Sequence, residues 1–67
     1  MDERLKLIAE RLKALREILD ISPAEMAKAV GMDEAEYLEY ETGENDFSFS
    51  FLYTAASRLG VDIMDLM

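Results

Sequence analysis

The 67-residue sequence contains neither cysteine nor histidine. The first absence excludes disulfides, thiolate zinc sites and cysteine nucleophiles. The second removes the usual general base at neutral pH and the commonest metal ligand. With one proline and three glycines, and no low-complexity tract, linker or repeat, the chain reads as a single domain over residues 1–67. Apolar residues are interspersed with charges throughout, so there is neither a transmembrane run nor a secretory signal. No membrane partner is expected, and a reducing cytoplasm is the expected compartment.

Basic residues are also scarce. Seven Lys and Arg against fifteen Asp and Glu give a net charge of −8, the opposite of the footprint of a generic nucleic-acid binder. Residues 1–29 hold six bases and six acids, whereas residues 30–67 hold Arg58 against nine acids. The whole excess therefore lies in the C-terminal half. Hydrophobic residues make up 51% of the chain, ample for one small core.

Spacing predicts five helices. Leu5, Ile8, Leu12, Leu15 and Leu19 recur at intervals of three and four, the apolar stripe of a helix from Asp2 or Glu3 to Leu19. Ser22-Pro23-Ala24-Glu25 then combines an N-cap, a proline at the first helical position and a capping-box glutamate. Met26, Ala27 and Val30 follow, and Gly31 supplies a left-handed stop. Asp33 and Glu36 repeat the capping signal for a third helix with Ala35, Tyr37, Leu38 and Tyr40 on its apolar side, ended by Gly43. Two short helices separated by one glycine turn outline a helix-turn-helix.

Phe47-Ser48-Phe49-Ser50-Phe51 alternates like a strand, but a lone strand has no partner. It reads better as a loop entering a helix capped by Ser48 or Ser50, carrying Leu52, Ala55, Ala56 and Leu59 and stopped by Gly60. Asp62 and Asp65 frame a fifth short helix with Ile63 and Leu66. The methionines at 26, 32, 64 and 67 read as core filler or helix-end packing. The carboxylates from Glu36 to Asp46 lack calcium-loop spacing, no catalytic constellation is evident, and neither a metal nor a cofactor is expected.

Leu12, Leu15-Arg16, Ile21-Ser22, Glu25-Met26-Ala27 with Gly31, Tyr37, Glu41-x-Gly43, Leu52, Ala56-x-x-Leu59-Gly60-Val61 and Leu66 together resemble the Cro/phage-repressor type of helix-turn-helix. This is the XRE-like family of bacterial transcriptional regulators, and the resemblance spans Ile8 to Leu66. It implies a compact, all-α, five-helix, lambda-repressor-like domain that is not an enzyme. The phrase from Glu44 to Tyr53 is most similar to regulators in which this module precedes a cupin barrel. Met67 directly follows a predicted helix, so the chain is expected to be a fragment of such a longer regulator. A homodimer or a C-terminal sensor domain is the expected protein partner.

The resemblance also implies a structural ion pair between Arg16 and Glu41. A lone Arg near the end of an apolar helix independently calls for a buried carboxylate. The family's usual DNA-facing positions fall on Ser22, Pro23, Asp33, Glu34, Glu36, Glu39, Glu44 and Asp46. Readers of DNA place Gln at the Pro23 position and Ser, Thr, Gln, Arg or Lys at the six that follow, where this chain has only acids. Direct DNA affinity is therefore expected to be weak. Any phosphate contacts would fall to Arg4, Arg11 and Lys13 of the first helix, or to a dimer partner. The alternative is a protein-interaction or dimerisation module that keeps the fold without binding DNA.

All six aromatics lie between residues 37 and 53. Tyr37 and Phe49 match positions usually buried in the family. Phe47 and Phe51 are extra, and either enlarge the core or form an exposed patch for a partner.

Overall fold

A computed structural model describes residues 3–67, so the expected start at Asp2 lies outside the described residues. The element order is α1 (Glu3–Ile18), α2 (Pro23–Val30), α3 (Glu34–Glu41), α4 (Phe49–Leu59) and a terminal 3-10 turn (Ile63–Asp65). Among the described residues there is no strand. The fold is thus all-α with four α-helices, not five. In the last element Asp62 and Asp65 do form a reciprocal capping box. Its main-chain bonds run from Asp65 to Asp62 and from Leu66 to Ile63, the three-residue spacing of a 3-10 turn. That tighter winding brings Leu66, fully buried, back into the core.

Cap chemistry sets the other boundaries. Ser22 accepts from the Glu25 N–H while Glu25 accepts from the Ser22 N–H, with Pro23 at the head of α2. Asp33 caps α3 through the Glu36 N–H, and Ser48 caps α4 through the Phe51 N–H. All four helices end alike, in paired main-chain bonds: Asp20 and Ile21 to Glu17 and Arg16, Gly31 and Met32 to Lys28 and Ala27, Gly43 and Glu44 to Tyr40 and Glu39, and Gly60 and Val61 to Ser57 and Ala56. This is the Schellman pattern, whose pivot residue must be left-handed. Glycine fills the pivot three times; at the end of α1 it is Asp20, at φ 58°.

The core gathers Ile8 and Leu12 of α1, Met26 and Ala27 of α2, Tyr37 of α3, and Leu52, Ala55 and Leu59 of α4. Each large apolar side chain so buried contributes ~1.5–3 kcal/mol relative to exposure. Packing joins α2 to both α3 and α4, α1 to α3, and the terminal turn to α4. Four expectations fail at the edges. Leu19 closes the predicted stripe of α1 but is 45% exposed beyond the helix end. A two-turn α3 presents one strip inward, Tyr37 with Tyr40 and Glu41, so Ala35 and Leu38 face outward. Met64 and Met67 are exposed, whereas Met26 is buried and Met32 packs on the core. Phe49 is 71% exposed, while Phe51 is buried.

Asp20 carries two costs at once, a left-handed backbone and a negative charge at a helix C-terminus. We expect Asp20→Gly to hold or raise the melting temperature. Asp20→Val, with a branched Cβ in the same conformation, should lose ~1–2 kcal/mol, roughly 5–10 °C for a domain this size. Thermal unfolding of the two variants, followed by circular dichroism, checks the order.

Candidate nucleic-acid interface

The helix that could enter a groove is held by charge from behind. Arg16, near the end of α1, donates from Nε to Glu41 Oε2 at 2.6 Å and from Nη2 to Glu41 Oε1 at 3.2 Å. Its Nη1 donates to the Ile21 carbonyl at 2.8 Å. Both partners are buried, 7% and 8% exposed. One guanidinium thus fastens α1, the turn into α2, and the C-terminal end of α3, and the Glu41 hydrogen bond and charge raise its already high pKa. Tyr37, one turn back from Glu41, is fully buried, and its hydroxyl has no hydrogen-bond partner among the described residues. Burial first, and then the Glu41 carboxylate, push its phenol well above the usual tyrosine range.

Aromatic rings hold α3 from the other side. Phe51 of α4 stacks on Tyr40 with centroids 4.4 Å apart, and Phe47 lies 5.6 Å from Tyr40 and 5.5 Å from Phe51. Phe47 and Phe51 therefore enlarge the core and do not form an exposed patch. Ser48 as the cap makes Phe49 the first residue of α4, facing solvent, and sets Phe51 in phase with Leu52, Ala55 and Leu59. The aromatics left outside are Phe49 and Tyr53, 71% and 63% exposed, stacked with centroids 6.5 Å apart. Their spacing of four was readable in the sequence; the choice of cap that turns them outward was not.

Held this way, α3 presents its acids to solvent. Asp33, Glu34, Glu36, Glu39, Glu44 and Asp46 are all exposed. Asp33 is occupied in capping, and Glu39 accepts from Asn45 Nδ2 at 3.2 Å. Among the described residues the ion pairs are Arg16–Glu41 and Arg58–Glu25, the second at 3.6 Å, so none of the six acids has a cationic partner there. Ser22 is exposed with its hydroxyl engaged by Glu25, and Pro23 is half-buried with no side-chain donor. On α1, Arg4, Arg11 and Lys13 are exposed, but Arg11 donates to the main-chain carbonyl of Met67. No three carboxylates among the described residues gather as a metal site, and no helix there is long and apolar enough to cross a membrane.

The α3 helix thus carries exposed carboxylates and no cation of its own. Each like-charge contact near 4 Å costs ~1 kcal/mol in water and more where solvent is excluded.

A family model described as helix-turn-helix matches residues 12–66. The chain superposes with a TM-score of 0.91 on the restriction-modification controller protein C.AhdI from Aeromonas hydrophila, at 23% identity over 98% of this chain and 100% of that one. It superposes with a TM-score of 0.89 on the clp gene regulator ClgR from C. glutamicum, at 21% identity over 94% of this chain and 82% of that one. No curated protein matches the sequence at a significant level.

Removing Arg16 strands Glu41 in the core. Arg16→Ala should therefore cost ~3–5 kcal/mol, against ~0–1 kcal/mol for the surface variant Arg11→Ala. Equal melting temperatures for the two would contradict the assignment. A phenol whose pKa is raised by folding supports the fold below the unfolded value near 10 and loses that support as pH rises past it. Tyr37→Phe should thus be neutral or stabilising at pH 8. Between about pH 8 and 11 it should lose less stability than the native chain, read from urea midpoints at the two pH values.

Proposed function

We propose that this chain, which belongs to the helix-turn-helix family whose model it matches over residues 12–66, is the regulatory module of a bacterial transcriptional regulator whose direct affinity for DNA is weak. The resemblance to XRE-like regulators supports the regulatory role. So do the two superposed structures, one a restriction-modification controller and one a clp gene regulator. The weak affinity rests on one observation: the six exposed acids on and around α3, without ion-pair partners among the described residues.

Groove-reading helices of this fold place their early residues against base edges, while lysines and arginines around them neutralise phosphates. Here glutamate could accept from a cytosine amino group, but the cations that would anchor such a contact are missing from α3. Any anchoring falls to the basic residues of α1 or to a second subunit. The same observation favours a second reading, a protein-interaction module that retains the fold and has given up the groove. Neither reading asks for a cofactor or for catalysis.

Fluorescence anisotropy with a mixed-sequence duplex, titrated with salt, tests the proposal. The native chain should bind weakly or not at all at about 150 mM salt. Replacing Glu34, Glu36 and Glu39 with Gln should raise affinity and steepen its dependence on salt, since counterion release then meets less repulsion. Tight, strongly salt-dependent binding by the native chain would overturn the proposal. Absence of binding by both proteins, down to about 20 mM salt, would favour the protein-interaction reading.

A further inference from the structure

The balanced half of the chain meets the acidic half in a hollow. Arg11, Ala14 and Leu15 of α1 form one wall, and Val61 and Asp65 of the terminal segment form the other. Its volume is about 390 Å³, within the ~300–1,000 Å³ typical of small-molecule sites. Ala14, Leu15 and Val61 give it an apolar lining. The two charged side chains have opposite signs and come from opposite walls, yet they form no ion pair with each other.

Each charge is nevertheless held in place. Arg11 donates from Nη1 to the Met67 main-chain carbonyl, and Asp65 Oδ2 accepts from the Asp62 N–H at 3.1 Å. The remaining guanidinium N–H groups and Asp65 Oδ1 have no partner among the described residues. A neighbouring hollow of about 250 Å³ shares Val61 but carries one acid, Asp62, and no cation. Both signs beside an apolar lining thus set the larger hollow apart.

We infer that the hollow between α1 and the terminal segment binds a free α-amino acid with an apolar side chain. The ligand carboxylate accepts from the Arg11 guanidinium, whose planar fork suits it. The ligand ammonium donates to Asp65, and the side chain lies on Ala14, Leu15 and Val61. A simple anion would face Asp65 as a like charge, and a simple cation would face Arg11, so the two residues together select a zwitterion. A ligand with no apolar part would leave the lining in water. Arg11 and Asp65 are both exposed, so water competes for them and each charge contributes little. Affinity is therefore low, with dissociation at about 1–10 mM. Arg11 belongs to α1, and Asp65 to the turn that brings Leu66 into the core, so the bound ligand ties the two ends of the domain together. None of the five lining residues lies on α3, so the site stands or falls independently of DNA binding.

Titration of the isotope-labelled chain with L-leucine to about 50 mM, followed by NMR, tests this. The amide resonances of Arg11, Ala14, Leu15, Val61 and Asp65 should move together along one saturable curve. Isocaproate lacks the ammonium and leucine amide lacks the carboxylate; each should bind about three- to fivefold more weakly. Arg11→Gln should abolish the difference between leucine and its amide, and Asp65→Asn, which keeps an acceptor for the cap, the difference between leucine and isocaproate. Ala14→Leu fills the hollow at an exposed helical position, so it should remove binding while melting as the native chain does. Absence of saturable movement in the native chain would overturn the inference. Equal binding of leucine, its amide and isocaproate would overturn it too, since the hollow would then be merely apolar. So would binding that survives Ala14→Leu unchanged.

Discussion

Everything that α3 can do is decided by a contact on its hidden side. The Arg16 guanidinium spends three hydrogen bonds, two on the Glu41 carboxylate and one on the Ile21 carbonyl. A buried ion pair gives little net stability over an apolar pair of the same volume, because desolvation opposes attraction. What this one supplies is orientation. With Glu41 and Tyr37 drawn inward, Glu36, Leu38 and Glu39 face outward, and a rotation of α3 about its axis would break two charge-assisted bonds. The pair therefore fixes an acidic outer surface on α3.

Much of this was legible in the sequence because the signals are local. A cap or a stop is decided within four or five residues, so Ser22, Pro23, Gly31, Gly43 and Gly60 mark their boundaries without reference to the rest of the chain. The end of α1 was visible only through its fading stripe, since Asp20 takes the left-handed pivot that glycine fills elsewhere. The misreadings arise where a tertiary contact arbitrates between local choices. Ser48 and Ser50 are both competent caps. Capping by Ser48 carries Phe51 inward onto Tyr40 and leaves Phe49 outside, and a shift of two residues in helical phase is enough to exchange a core ring for a surface ring. Likewise the pull of the core on Leu66 turns a predicted α-helix into a single 3-10 turn. The acidic face was evident from composition, but its lack of cationic partners among the described residues depends on where α1 and α4 place their bases.

The two uncommon surfaces divide the molecule's electrostatics. Residues 1–29 are balanced in sign, α3 and its flanks concentrate the acids, and α4 is uncharged until Arg58. Self-repulsion at −8 favours solubility and opposes self-association everywhere except on a neutral face. The acids gathered on α3 and its flanks thus leave α4, up to Arg58, without a formal charge.

Ionic strength then acts on the two faces in opposite directions. Screening weakens any residual attraction between the bases of α1 and phosphate, and it relieves the repulsion between copies. A module with a basic recognition helix gains DNA affinity as salt falls, and a dimer held by opposite charges loosens as salt rises. Here repulsion between copies and any attraction of the α1 bases to phosphate draw on different residues, and screening relieves the first while it weakens the second.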